Sequence, residues 1–396
     1  MKILLANLSR MVGHSGGLQK VTCSFANEMK RRGHQVSLVY SDVRKGDFFY
    51  SLDEEIPSFD VRHYKGKSIH FPWYLKLKRE LYRTVDKRKA RNVNDDFEIA
   101  HCLSSLQDVL DTVKPDIIVS FQPLASRLLL CELETTIPVI TMSHGDTADY
   151  FETYPQGELP GLARSAVCQV LVPSYERPLR EHFPHLKTAV IGNAIPQYEA
   201  QADLAAEKKI YKVIFTGRLA KGHKRPHLLM EAFAELAKDF PDWSVELWGD
   251  VDGKAYHKEL QTFIRQHHLE NQVFLKGVTD DVASVLREGD IFAFPSAYEG
   301  FGMSLAEGMS MGLPAIGYRN CGGVNELIHD GIDGYLCEDG VEDFREKLRT
   351  LMVDRALRIR MGEAARASMA AYAPEKIWDA WEKLLEETAQ KPEAGV

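Results

Sequence analysis

Short apolar runs alternate along this chain with longer stretches in which apolar residues recur every three to four positions. In the first half KILLANL, QVSLVYS, DIIVSF, IPVITMSHG and VCQVLVPS have the near-continuous apolar character of strands buried on both faces. In the second half KVIFTGRL, SVELWGD, QVFLKGV, DIFAFPS and PAIGY repeat it, with PHLLMEAFAELAKDF and KAYHKELQTFIRQHH as helical stretches between them. Strands alternating with helices predict an α/β protein with parallel, doubly wound sheets. The series lapses over residues 194–210, AIPQYEAQADLAAEKKI, and an inter-domain linker is expected there. The pattern therefore predicts a Rossmann-like domain over 1–195 and a second over 208–372. A C-terminal helix is expected over 373–396, with Ile377, Trp378, Trp381, Leu384 and Leu385 at helical spacing, packing back on the first domain. Two such domains facing a cleft gather their ligands at the carboxyl ends of the strands.

Composition changes this picture little. The 396 residues are 44% hydrophobic and 27% charged, a globular balance. Six scattered cysteines without CxxC or metal spacing predict a reducing, cytoplasmic setting rather than a disulfide framework. MKILLANLSR reads as a first strand rather than a signal peptide, and no apolar run approaches the roughly 20 residues of a membrane span. Charge adds more. Residues 1–200 carry 25 Lys and Arg against 24 Asp and Glu, so the net charge of −8 lies almost wholly in the second half. Residues 62–91 nevertheless hold 11 basic side chains against only Glu80 and Asp86, which points that segment at an anionic partner. The acidic remainder and the lack of a reader motif argue against nucleic acid.

Four strand-to-helix junctions carry candidate chemistry. In PSAYEGFGMSLAEGMSMG the turn Gly300–Leu305 offers backbone N–H groups at a helix start, suited to phosphate. Glu307 reads equally as a ligand for sugar hydroxyls or as the end of a capping box, Ser304-Leu-Ala-Glu307. No cap requires Glu299, which precedes the helix in a loop. In TGRLAKGHKRPHLLMEAF, Arg218, Lys221, Lys224 and Arg225 cluster where a strand ends and have the charge to neutralise a diphosphate. GHSGGLQKV joins the first strand to the first helix, with Gly16 and Gly17 permitting close backbone approach. His144 follows a strand in TMSHGD. The D-x-D of Asp250 and Asp252 reads as an ordinary turn rather than a metal site, and no metal is expected.

Together these residues resemble the retaining glycosyltransferases of family 4, with the GT-B fold. The resemblance spans nearly the whole chain and is strongest over residues 211–340. Its carriers are GRL, WGD, VFLKGV, the PSxxEGFG run with seven residues between Glu299 and Glu307, GLPAIG and GGVNELIHDGIDGYL; SGGLQKV, SHG, LVPS and VIGNAI match weaker landmarks. It implies transfer of a sugar from a UDP- or GDP-sugar, without cofactor, to a glycan or lipid-linked acceptor in cell-surface polysaccharide, lipopolysaccharide or glycolipid synthesis. It implies that Gly217, Arg218 and the following lysine hold the diphosphate; Lys221 matches the family's Lys-Gly literally, whereas helix register favours Lys224. Glu299 then faces the donor sugar beside the N–H groups of Phe301, Gly302, Met303, Ser304 and Leu305. Glu307 binds the ribose, and Lys276, Gly277 and Val278 lie near the base. His144, Gly16 and Gly17 serve the reacting sugar and its phosphates. The family's usual alanine after the second glutamate is Gly308 here.

The acceptor side rests on residues 71–91, FPWYLKLKRELYRTVDKRKAR, where Tyr74, Leu77, Leu81 and Val85 fall on one face of a basic helix. Such a segment either lies on an anionic membrane surface, giving peripheral association with the inner face, or packs its apolar face on the domain. Alternatives to the transferase are a nucleotide-sugar epimerase, a soluble disaccharide synthase and a non-catalytic sugar- or nucleotide-binding protein.

Overall fold

The computed structural model describes residues 1–14 and 16–390. The chain forms two compact units, one of residues 1–192 together with the chain from Ile377 onward, the other Asn193–Lys376. The first unit is built on seven strands: β1 (Lys2–Asn7), β2 (Gln35–Tyr40), β3 (Ser58–Asp60), β4 (Ile117–Ser120), β5 (Val139–Met142), β6 (Val167–Val170) and β7 (Thr188–Val190). They pair in the order β3-β2-β1-β4-β5-β6-β7, every pair parallel. The second unit holds β8 (Tyr211–Thr216), β9 (Trp243–Trp248), β10 (Val273–Gly277), β11 (Ile291–Phe294), β12 (Ala315–Tyr318) and β13 (Gly334–Cys337), ordered β10-β9-β8-β11-β12-β13 and again all parallel. Both orders reverse direction at their first strand, the topology of two doubly wound Rossmann-like domains.

The apolar runs become central strands because helices cover both faces of a parallel sheet. Leu4, Ile118, Val139 and their neighbours are buried with the inward face of the long helix Lys87–Val113. The edge strands β3, β7 and β13 have no signal in the apolar pattern. The first two are only three residues long, and β13 begins at Gly334, where a Cβ would stand 2.3 Å from the carbonyl of Ala315.

Residues 193–210 are not a free linker. They belong to the second unit, where Ile195 N–H donates to Tyr372 O and the Ser310 hydroxyl to Pro196 O. The helix Pro374–Ala389 begins in one unit and packs on the other, its Trp378 and Trp381 meeting Phe25 edge-on at 5.8 and 5.0 Å. Glu382 also accepts from Arg32 at 2.7 Å. The basic stretch 71–91 is two helices. Asp86 leaves helical geometry (φ −151°, ψ 108°), ends Trp73–Val85, and its carboxylate accepts from Arg88 and Lys89 N–H to start Lys87–Val113.

Candidate active site

In the second domain, three neighbouring strands end on glycine. Gly217 after β8, Gly249 after β9 and Gly277 closing β10 have φ of +143°, +144° and +76°. Their backbones interlock, with Gly217 N–H donating to Trp248 O at 2.9 Å and Gly249 N–H to Gly277 O at 2.8 Å. A Cβ on Gly249 would sit 2.0 Å from Gly217 O, so no side chain fits there. The carboxyl edge of the sheet is thus bare of side chains beside a cavity of about 520 Å³ lined by Gly249, Asp250, His257, Lys276, Gly277 and Val278. Lys276 lies over the Trp248 ring at 5.2 Å, and Val278 is 72% exposed at the rim. Asp250 and Asp252 are tied into the β8 turn through their backbones (Leu219 N–H to Asp250 O, Asp252 N–H to Leu219 O). Among the described residues no group of three or more His, Cys, Asp or Glu side chains is arranged to hold a metal ion.

The loop after β8 separates its four cations. A tight turn, with the N–H groups of Lys224 and Arg225 both donating to Ala220 O, places Arg225 at φ 47°. Arg225 is consumed structurally: it donates to Pro295 O at 3.0 Å and Asp339 Oδ1 at 2.8 Å and lies over the Tyr318 ring. Lys221 turns outward to Glu259 at 2.6 Å, both half-exposed. Lys224 turns inward and donates to Glu299 Oε1 at 2.6 Å, its ammonium 4.5 Å from the centre of the Phe294 ring. Arg218 is exposed at the strand end and makes no side-chain bond among the described residues. Of the two lysines, then, only Lys224 joins the Glu299 loop.

Sequence reasoning missed what sets that contact. His223 Nε2 donates to Tyr298 O at 2.6 Å, and Ala297 N–H donates to His223 O at 2.8 Å. With the Arg225 bonds, these stitch Pro295–Glu299 onto the β8 turn. The only available signal was position, since His223 and Arg225 sit in a charged turn at a strand's carboxyl end.

The helix after Glu299 runs Met303–Ser310 with Gly302 as its N-cap, at φ 92° and with no side-chain cap. Ser304 is already inside the helix and Glu307 lies on its second turn, so the capping-box reading of Ser304 and Glu307 is wrong; a cap needs the serine outside. The first intrahelical bond is Ala306 N–H to Gly302 O at 2.9 Å, which leaves the N–H groups of Met303, Ser304 and Leu305 facing out of the helix start. Glu299 and Glu307 are both buried. Phe301 is fixed from behind by Tyr372 (5.1 Å, edge-on) and by Gly323, where a Cβ would lie 3.0 Å from Phe301 O. Gly308 has a direct cause: a Cβ there would meet the Phe292 ring of β11 at 2.5 Å.

In the first domain, Gly16 is the N-cap of the helix Gly17–Arg31, again without a side-chain cap and with no acidic residue in the first turn. A Cβ on Gly17 would meet open space. His144 follows β5, stacked on Phe121 (5.6 Å, 14°), with its Nε2 shut off from solvent and without a partner among the described residues. Burial pulls its pKa down to about 4, so it is a neutral imidazole at ordinary pH.

Each of the two doubly wound domains thus carries an uncapped helix start after a glycine turn. Residues 197–368 match the family of glycosyl transferases group 1. Over 379 residues the chain is 25% identical to the amylovoran biosynthesis glycosyltransferase AmsD of Erwinia amylovora, covering 94% of this chain and 97% of that one. In structure it is similar to a sucrose-phosphate synthase from Thermosynechococcus elongatus (TM-score 0.76, 16% identity, 98% of each chain). It is also similar to Anabaena Alr3699/HepE in complex with UDP and glucose (TM-score 0.72, 19% identity, 99% and 100% covered). The second domain therefore matches the group 1 glycosyl transferases, and the chain as a whole shares the GT-B fold of these solved structures.

Proposed function

We propose that the protein transfers a hexose from a nucleoside-diphosphate sugar, UDP- or GDP-linked, to a hydroxyl of a glycan or lipid-linked acceptor in cell-surface polysaccharide synthesis, with retained anomeric configuration. The observation that carries this reading is the Lys224–Glu299 contact beside the uncapped helix start at Met303, with Arg218 unengaged at the neighbouring strand end. Glycosyl transfer requires stabilisation of the charge that develops on the departing diphosphate. Arg218, Lys224 and the N–H groups of Met303, Ser304 and Leu305 supply it. Glu299 orients the donor sugar and holds Lys224 in place, Glu307 takes the ribose, and the bare glycine edge with Lys276 and Val278 receives the base. The acceptor oxygen attacks the anomeric carbon on the face the diphosphate leaves, the C–O bond to the β-phosphate breaks, and the acceptor's proton passes to the departing phosphate. No residue is assigned as a covalent nucleophile.

Peripheral membrane association belongs to the same reading. No described helix is long and apolar enough to cross a membrane. The helix Trp73–Val85 buries none of its residues and exposes Trp73 (76%), Tyr74, Leu77, Leu81 and Val85 (84%) among Lys76, Lys78 and Arg83. Its apolar stripe faces outward, as in helices that lie on anionic lipid.

The test is steady-state turnover of a nucleotide sugar by Lys224→Ala and Glu299→Ala. Each loses about 100-fold or more in kcat while remaining folded, the scale of removing one preorganised charge partner. Near-wild-type rates for both sink the assignment.

A further inference from the structure

We propose that the first domain binds a phosphate group in the pocket where β1, β2 and β3 end, and that this phosphate is part of the acceptor. The identification as acceptor rests on the transferase reading above; the phosphate site does not. The pocket, about 570 Å³, is enclosed by the residues following those three strands and by the start of the helix Trp73–Val85. Five cations line it (Arg10, Arg44, Arg62, Lys76 and Arg79) against two carboxylates, Asp42 and Glu98.

Both carboxylates are spent internally. Asp42 accepts from the N–H groups of Met11 and Val12 at 2.8 and 2.9 Å and from Arg44 N–H at 2.9 Å. Glu98 accepts from Arg62, from the Ser41 hydroxyl and from the Cys102 thiol. The cations are not equally spent. Arg10, Arg44 and Lys76 make no side-chain hydrogen bond or ion pair among the described residues. Arg62 is only 7% exposed, and its Nη1 has no partner among them despite being buried. Arg62 is held at the pocket wall by its bonds to Ser41 Oγ and Glu98. Several converging cations, mostly arginines with their planar fork of donors, suit a phosphate better than a single carboxylate. Phe71 supplies an apolar wall beside the charges, as a sugar face or a lipid stem requires. Lys76 and Arg79 come from the same helix that exposes Trp73 and Leu77, so a headgroup at a lipid surface and a soluble sugar phosphate share this chemistry.

Calorimetric titration of the full chain decides between them. The probes are glucose 1-phosphate and monomeric farnesyl phosphate, against wild type and the Arg44→Ser/Lys76→Ser double variant, whose side chains are exposed and whose loss spares the fold. At least one probe binds wild type and binds the variant about tenfold or more weakly, the loss expected for removing two charge-assisted contacts. Tighter farnesyl phosphate identifies a lipid-linked acceptor; glucose 1-phosphate as tight or tighter identifies a soluble one. Equal binding to both proteins, or no binding of either probe at millimolar concentration, overturns the site. Titration of UDP and GDP in parallel keeps the two proposals apart: phosphate binding with no nucleotide binding retains the pocket and overturns its role as acceptor site.

Discussion

At the scale of single residues, the site turns on which lysine faces Glu299. Lys221 has the familiar dipeptide, yet a turn closing on Ala220 O sends it to Glu259 and sends Lys224 to Glu299. Lys221→Ala is therefore expected to keep turnover within about twofold of wild type, because an exposed pair of this kind is worth little. A Lys221 variant as damaged as Lys224→Ala would reverse the assignment. The sequence showed the carboxylates and cations because charge in an apolar run is visible; it could not show that Arg225 is occupied by carbonyls, since those partners lie about seventy positions away. The same limit hid Asp95 and Glu158, two buried acids brought together in the first domain. Burial, and then the charge of Asp95, raise the Glu158 carboxyl far above the usual range. A raised carboxyl contributes stability that is fully present below its ordinary pKa and is lost as pH climbs through the folded value. Wild-type melting temperature should fall between about pH 5 and about pH 9, and Glu158→Gln, which cannot ionise, should remove that alkaline loss. Parallel pH–melting curves for the two proteins would contradict it.

At the scale of elements, the helix Met303–Ser310 reverses an ordinary rule. Glycine to alanine inside a helix normally stabilises by about 1 kcal/mol. At Gly308 the added methyl meets the fully buried Phe292 ring at 2.5 Å, so Gly308→Ala should destabilise by about 1–3 kcal/mol, the usual penalty for overpacking. Adding Phe292→Leu should recover part of the loss in a denaturant titration, and a stabilised single variant would show that the contact yields. The family alanine was legible as missing, but its cause lay in a ring on a neighbouring strand. The helix Trp73–Val85 makes the opposite case. Its periodicity was plain, yet periodicity does not say whether an apolar face meets protein or solvent. Because the face is exposed, Trp73→Ser/Leu77→Ser/Leu81→Ser should leave the melting temperature unchanged and abolish flotation with anionic vesicles. A large drop in melting temperature would show that the face is packed.

At the scale of the whole molecule, the alternation of strands and helices revealed both α/β domains and ten of their strands, because buried parallel strands are written as apolar runs. The short edge strands β3, β7 and β13 lie outside that signal. Residues 193–210 look like a polar linker for a related reason, yet Ile195 N–H donates to Tyr372 O and Pro196 O accepts from the Ser310 hydroxyl within the second domain. A bare strand edge, an uncapped helix start and unengaged Arg218 in that domain all point to a nucleotide sugar. The most direct test is thermal denaturation with UDP-, GDP- and ADP-sugars, repeated on Lys224→Ala. A ligand present at about 100 times its Kd stabilises the native state by about 2.7 kcal/mol. One nucleotide class should raise the wild-type melting temperature by several degrees, and Lys224→Ala should lose most of that shift. Melting unmoved by every nucleotide sugar would contradict the assignment of the second domain as the donor site.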